Sequence, residues 1–264
     1  MTLIPSNATG LILDMDGVLW SDSAPIGDLP RIFSHIKELN LAVAMATNNS
    51  TRTVDQYVER LSNFGVLVEP WQVITSSLAV ADMMTRQLPA GAPIFAIGEQ
   101  GLLNVLKAAH FELLSNQDAE NAEAVVIGLD REISFDKMRE ATLLVRRGKA
   151  FFATNPDRTF PTPRGQIPGA GAWISVIVTA TDVQPIYAGK PFPYMLELAL
   201  ERLATPKEST FVVGDRIETD IAGGQAVGCP TALVLSGVST LAQAKSWLPA
   251  IDIISEDLAS LVGA

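Results

Sequence analysis

At 264 residues, with 48% hydrophobic and only 18% charged side chains, the chain has ample material for one large or two modest buried cores, which argues against disorder. A formal net charge of −10, with Arg146-Arg147 as the densest basic pair, argues against a nucleic-acid partner, whose phosphates call for Lys and Arg clusters. The longest apolar run, Trp173 to Ala180, is far short of the roughly 18 residues of a membrane span, and Met1 to Gly10 lacks a basic segment followed by an apolar one, so a cytoplasmic protein is expected.

In chain order, the first signal is Leu11-Ile12-Leu13, a short aliphatic run bounded by turn formers, which predicts a buried strand running on to Asp16. Residues two apart on a strand point the same way, so Asp14 and Asp16 would converge at its exit, where Gly17 permits a tight turn. Two such carboxylates can hold a divalent cation and still leave an oxygen free to attack. The plain alternative is a surface turn, in which Asp and Gly are the commonest residues.

Helical spacing follows from Ile32 to Leu39 and carries His35. A strand over Leu41 to Ala46 then delivers Thr47-Asn48-Asn49-Ser50 at its carboxyl end. In the middle, Val80, Met83, Met84 and Leu88 predict a helix, Ile94 to Ile97 a strand, and Val125 to Leu129 another strand. Met138, Ala141, Thr142 and Val145 predict a helix, and Phe151 to Ala153 a strand that enters Thr154-Asn155-Pro156-Asp157. Ala46-Thr47-Asn48 and Ala153-Thr154-Asn155 echo each other, and Asn-Pro-Asp reads first as an ordinary turn. Pro161 to Gly171, rich in proline and glycine, reads as irregular structure.

Lys190 then stands before Pro191 and the helical stripe Leu196, Ala199, Leu200, Leu203. A lysine near a helix start opposes the helix dipole and wants a compensating anion, which a phosphate would supply. A strand at Phe211 to Val213 exits into Gly214-Asp215. A helix over about Asp220 to Val227 follows, then a strand over Thr231 to Leu235. The single Cys229 excludes an internal disulfide and reads as a small buried residue. Only two histidines, His35 and His110, leave little support for a zinc site or a Ser-His-Asp triad.

Strands alternating with helices at both ends predict an α/β protein: a Rossmann-like, doubly wound parallel-sheet core, residues 1–74 plus 183–264, with an inserted α/β cap domain, residues 75–182. Ligands of such sheets bind at the carboxyl ends of the strands, where Asp14/Asp16, Thr47-Asn48-Asn49 and Asp215 all fall.

Taken together these residues resemble the haloacid dehalogenase superfamily of phosphotransferases, whose four motifs look like Asp14-Met15-Asp16-Gly17-Val18, Thr47-Asn48-Asn49, Lys190, and Gly214-Asp215 with Thr219-Asp220. The insert's position, between the second and third motifs, is similar to the cap of the NagD-like and p-nitrophenyl phosphatase subfamily. Thr75-Ser76-Ser77, Ala153-Thr154-Asn155-Pro156-Asp157, Ala188-Gly189-Lys190-Pro191 and Leu235-Ser236-Gly237-Val238 also look like that subfamily's recurring stretches. The resemblance implies a phosphatase acting on small phosphate monoesters through an aspartyl-phosphate. Asp14 would be the nucleophile and Asp16 the proton shuttle. Thr47, the Asn48 backbone N–H and Lys190 would hold the phosphoryl oxygens. Mg²⁺ would be bound by Asp14, Asp215 and the Asp16 carbonyl, with Asp220 orienting Lys190 or a metal-bound water in preference to direct ligation.

The insert would close over the site and exclude water. Nucleoside monophosphates, sugar phosphates, phosphoglycolate and aryl phosphates all stand open as substrates, and the composition permits a homodimer without requiring one. A phosphomutase of the same superfamily shares both aspartates. A receiver-like phospho-acceptor module shares the acceptor Asp but has no use for the insert or for Asp16.

Overall fold

The computed structural model describes residues 3–162 and 164–264. The chain divides into two compact units: Met1–Thr47, Asp55–Ile74 and Lys190–Ala264 form the first, and Asn48–Val54 with Thr75–Gly189 the second.

The first unit is built on a six-stranded sheet in the spatial order Ile253–Ser255, Thr231–Val234, Thr210–Gly214, Gly10–Leu13, Ala42–Thr47, Val73–Thr75. The ladders from Ile253–Ser255 across to Ala42–Thr47 are parallel, with Ile12 opposite Val212 on one side and Ala44 on the other. Leu11, Ile12, Leu13, Ala44, Met45, Val213 and Leu233 are all buried, the continuous apolar pattern of strands covered on both faces. The chain first adds strands on one side of Gly10–Leu13 and later on the other. The order therefore reverses between Gly10–Leu13 and Thr210–Gly214, and sheets of this kind take their ligands outside the carboxyl ends at such a point. The helix Leu29–Glu38 starts at Asp28, whose carboxylate accepts from the Arg31 N–H, and buries Ile32 and Ile36 from one face.

The second unit carries its own five-stranded parallel sheet, ordered Ile186–Tyr187, Ala150–Ala153, Ala124–Ile127, Pro93–Ile97, Glu112–Leu113. Its core joins Phe95, Val125, Ile127, Leu144, Phe151, Ile174 and Ile177, contributed by the sheet and by the helices Phe135–Arg146 and Ala170–Thr181. The apolar run Trp173 to Ala180 lies in the second of these helices. Among the described residues no helix is long and apolar enough to cross a membrane.

Three expectations are corrected. The first strand stops at Leu13, so Asp16 lies in the turn beyond it. Pro161 to Gly171 is not irregular: Thr159–Thr162 pairs antiparallel with Gly165–Pro168, and Ala170 opens a helix; Pro163 lies outside the described residues. A two-stranded ribbon tolerates prolines because each strand has an edge that asks for no ladder N–H. Residues 183–189, expected with the first unit, belong to the second, because Ile186 and Tyr187 pair with Phe152 and Ala153. Residues 48–54 also join the second unit. There Ser76 Oγ donates to the Asn48 carbonyl at 2.6 Å, Ser77 Oγ to the Ser50 carbonyl at 2.9 Å, and the Leu129 N–H to Ser50 Oγ at 3.2 Å.

Candidate active site

Asp14 and Asp215 each follow directly on one of the two strands that flank the reversal, and the Asp14 N–H extends the ladder by donating to the Val213 carbonyl at 2.8 Å. Lys190 joins them from 176 residues away. Its ammonium is buried, 2.7 Å from Asp14 Oδ1, 2.6 Å from Asp220 Oδ1 and 2.7 Å from the Ala46 carbonyl, which uses all three of its N–H donors. The compensating anion expected for this lysine is thus supplied by two carboxylates of the protein itself.

Asp220 is fully buried on a turn of π-helix, Ile217–Ile221, where its Oδ2 also accepts from the Arg216 N–H at 3.0 Å. Gly214 makes this possible, since a Cβ there would lie 2.1 Å from the Asp220 Cβ. Gly17, with φ +82°, likewise clears the way for Asp215, whose Oδ2 would meet a Cβ at 2.5 Å. That oxygen accepts from the Val238 N–H at 2.7 Å, while Asp215 Oδ1 is buried and has no hydrogen-bond partner among the described residues.

One oxygen from each of Asp14, Asp215 and Asp220 lies within 4.8 Å of the others. Burial pushes the Asp14 carboxyl well above its ordinary range, and Asp220 and Asp215 add to the shift against the pull of Lys190. Burial and the Asp220 charge push Asp215 up to about 6, with the Val238 N–H opposing. Burial alone would lower the Lys190 ammonium, but Asp14 and Asp220 outweigh it and raise it. The cluster holds more negative charge than the lysine balances, and an all-oxygen donor set with an unsatisfied carboxylate oxygen fits a hard cation such as Mg²⁺. Both Asp220 oxygens are engaged by Lys190 and Arg216, so Asp14 and Asp215 are the better-placed ligands.

Asp16, expected to converge on Asp14, is not part of this acidic cluster; its exposed carboxylate accepts from the Trp20 indole N–H at 2.9 Å. Thr47 is buried at the end of its strand, next to the Ala46 carbonyl that receives Lys190. Asn48 opens the segment that packs with the second unit, where its amide donates to both oxygens of Asp157 at 3.2 Å and its carbonyl accepts from Asn155 at 2.7 Å. Asn155 and Asp157, which read first as a turn, carried two signals in the sequence: the echo of Ala46-Thr47-Asn48 in Ala153-Thr154-Asn155, and the resemblance of Ala153-Thr154-Asn155-Pro156-Asp157 to a recurring stretch of the subfamily. Trp20 carried no signal in the sequence, and Val238 showed only as the end of Leu235-Ser236-Gly237-Val238. His35 sits on a helix face beside Glu38, His110 follows the end of helix Gln100–Ala108 with φ +63°, and Cys229 is buried with its thiol pushed up to about 11 by desolvation.

Comparison with known proteins bears directly on this arrangement. A model for haloacid dehalogenase-like hydrolases matches residues 11–112, and one for HAD-hydrolase-like proteins matches 187–261. The acid sugar phosphatase of Staphylococcus aureus strain USA300 is 37% identical over 230 residues, 87% of each chain. The p-nitrophenyl phosphatase of Archaeoglobus fulgidus superposes with a TM-score of 0.90 at 34% identity, covering 97% of this chain and 98% of that one. The glycerol phosphate phosphatase of Mycobacterium tuberculosis, crystallised in complex with magnesium, gives 0.89 at 32% identity, covering 99% of this chain and 78% of that one. The strand-exit aspartates thus lie in a chain whose likeness to phosphatases runs nearly end to end: it belongs to the haloacid dehalogenase-like hydrolases and is a phosphatase of phosphate monoesters.

Proposed function

We propose that the protein is a Mg²⁺-dependent phosphatase that hydrolyses small phosphate esters, sugar phosphates foremost, through an aspartyl-phosphate on Asp14. The observation that carries this reading is the Lys190 ammonium clamped between Asp14 and Asp220, beside an Asp215 oxygen that lacks a partner among the described residues. The preference for sugar phosphates rests on the acid sugar phosphatase relative, and p-nitrophenyl phosphate is the natural probe given the second relative.

In the first step the Asp14 carboxylate attacks phosphorus while the bond to the leaving oxygen breaks, and Asp16 delivers a proton to that oxygen. In the second, Asp16 takes a proton from water as the water oxygen attacks phosphorus, the bond to Asp14 breaks, and inorganic phosphate leaves. Lys190, Thr47 and the Asn48 N–H that follows it in the chain hold the phosphoryl oxygens, a positioning and electrostatic role. Asp220 fixes Lys190. Asp14, Asp215 and the Asp16 carbonyl would hold Mg²⁺, which when bound supplies the positive charge that lets an anionic nucleophile meet an anionic substrate. A single, buried cysteine suits a reducing cytoplasm.

The test is a panel of sugar phosphates and p-nitrophenyl phosphate assayed with Mg²⁺ and with chelator, on the parent and on Asp14→Asn. Release of phosphate that requires Mg²⁺ and vanishes in Asp14→Asn is expected, with acid-quenched labelled phosphoenzyme trapped on the parent alone. Turnover that survives the chelator, or an Asp14→Asn variant as active as the parent, would contradict it.

A further inference from the structure

Trp20 is fully buried, yet its indole N–H is spent on the exposed Asp16 carboxylate and not on a backbone carbonyl. The bond is short-range and geometrically fixed. The Gly17 N–H donates to the Trp20 carbonyl at 2.8 Å, and the Leu19 and Trp20 N–H groups both reach back to the Met15 carbonyl, so Asp16 and Trp20 face each other across one tight loop. Trp20 then begins a small antiparallel hairpin, Trp20–Ser21 with Ala24–Pro25. Its ring is held in turn: Tyr57 stacks on it at 6.3 Å and 12°, Phe64 tilts against it at 6.0 Å, and the Arg60 guanidinium lies 4.2 Å from its centre while also donating to the Asp22 carbonyl of the hairpin. Helix Val54–Asn63, which carries Tyr57 and Arg60, therefore fixes the indole plane.

We infer that Trp20 is a positioning residue that assigns the two oxygens of Asp16 to different tasks, and this rests on the acid role proposed above for Asp16. A carboxylate at the end of a short side chain turns freely through a broad terminal torsion. An indole N–H only donates, and a carbonyl-type oxygen accepts better than a hydroxyl one, so the bond to Oδ1 favours the form of the carboxyl group whose proton is on the other oxygen. The proton that Asp16 transfers sits on Oδ2, and the carboxyl plane is set before substrate arrives. The gain falls on the step that needs a proton, departure of a poor leaving group, and leaves an ester with a good leaving group nearly unaffected.

The experiment compares kcat/KM, which reports formation of the phosphoenzyme, for p-nitrophenyl phosphate and for an alkyl phosphate such as glycerol phosphate, with Mg²⁺ present. The variants are Trp20→Phe and Trp20→β-(3-benzothienyl)alanine; the second keeps the ring shape and loses only the N–H, so it remains informative where Trp20→Phe does not fold. The alkyl ester is expected to lose about 10- to 100-fold and the aryl ester less than about threefold, with the melting temperature of the benzothienyl variant unchanged. Equal losses on both esters, or no loss on either, would show that Trp20 only packs, and would leave the phosphatase reading intact. A parent inactive on both esters would overturn the role of Asp16 and this inference together.

Discussion

Lys190 is one positive charge among three buried or half-buried carboxylates, and at an effective dielectric near 20 two like charges about 5 Å apart repel by roughly 3 kcal/mol. A divalent cation relieves that excess, so on the proposed ligand assignment Mg²⁺ stabilises the fold itself. At about 100 times its dissociation constant it adds about 2.7 kcal/mol, roughly 5 to 10 °C in melting temperature for a chain of this size. Chelation should reverse the rise, and Asp215→Asn should nearly abolish it; an equal rise in that variant would remove Asp215 from the ligand set. Gly17→Ala tests the same crowding from the backbone side. It adds about 1 to 2 kcal/mol of left-handed strain and drives a Cβ into Asp215, so it should lower both stability and Mg²⁺ affinity. Cys229 should resist alkylating reagents at pH 8 in the native protein and react on unfolding, because burial keeps its thiol protonated. The positions of Asp14 and Asp215 were legible in the sequence because each directly follows an aliphatic strand run. The pairing of Asp220 with Lys190 was less so, since it depends on a π-turn and on a lysine 30 residues earlier. The Asp16–Trp20 bond was not legible: it requires a loop tight enough to bring residues four apart face to face outside any helix.

At the scale of elements, Thr75-Ser76-Ser77 shows how a short polar string can organise a boundary. Thr75 caps helix Ser76–Thr85 by accepting from the Leu78 N–H, while Ser76 and Ser77 tie down the Asn48 and Ser50 carbonyls. All three side chains are buried, so each bond lost leaves a polar group without water to replace its partner. Thr75→Ala is expected to cost about 1 kcal/mol through the cap, and Ser76→Ala a similar amount, measured by chemical denaturation; a cost near zero for both would deny the string its structural part. Helices and central strands were readable from their spacing. The hairpin Thr159–Thr162 with Gly165–Pro168 was not, because its prolines mimic a loop wherever no continuous ladder demands their N–H.

On the scale of the whole molecule, each unit has its own parallel sheet and its own buried core. Differential scanning calorimetry should accordingly give a calorimetric enthalpy larger than the van't Hoff value, the sign of more than one cooperative step. Mg²⁺ should raise only the step belonging to the unit that carries Asp14, Lys190 and Asp215. A single transition moving as one with Mg²⁺ would instead mean that the units unfold together. The insertion was foreseeable from the alternation of strands and helices. Its second edge was placed early, because the two-residue strand Ile186–Tyr187 is too short to announce itself and is recognisable only by what it pairs with.

The 176 residues between Asp14 and Lys190 are also an interval of time. At roughly 5 to 20 residues per second of synthesis, Asp14 waits about 10 to 35 seconds on the ribosome before the lysine that anchors it exists. Through that wait the second unit is already being completed, since all of its residues precede Lys190. A nascent chain stalled anywhere short of Lys190 therefore carries Asp14 without the ammonium that holds its Oδ1 in the finished fold.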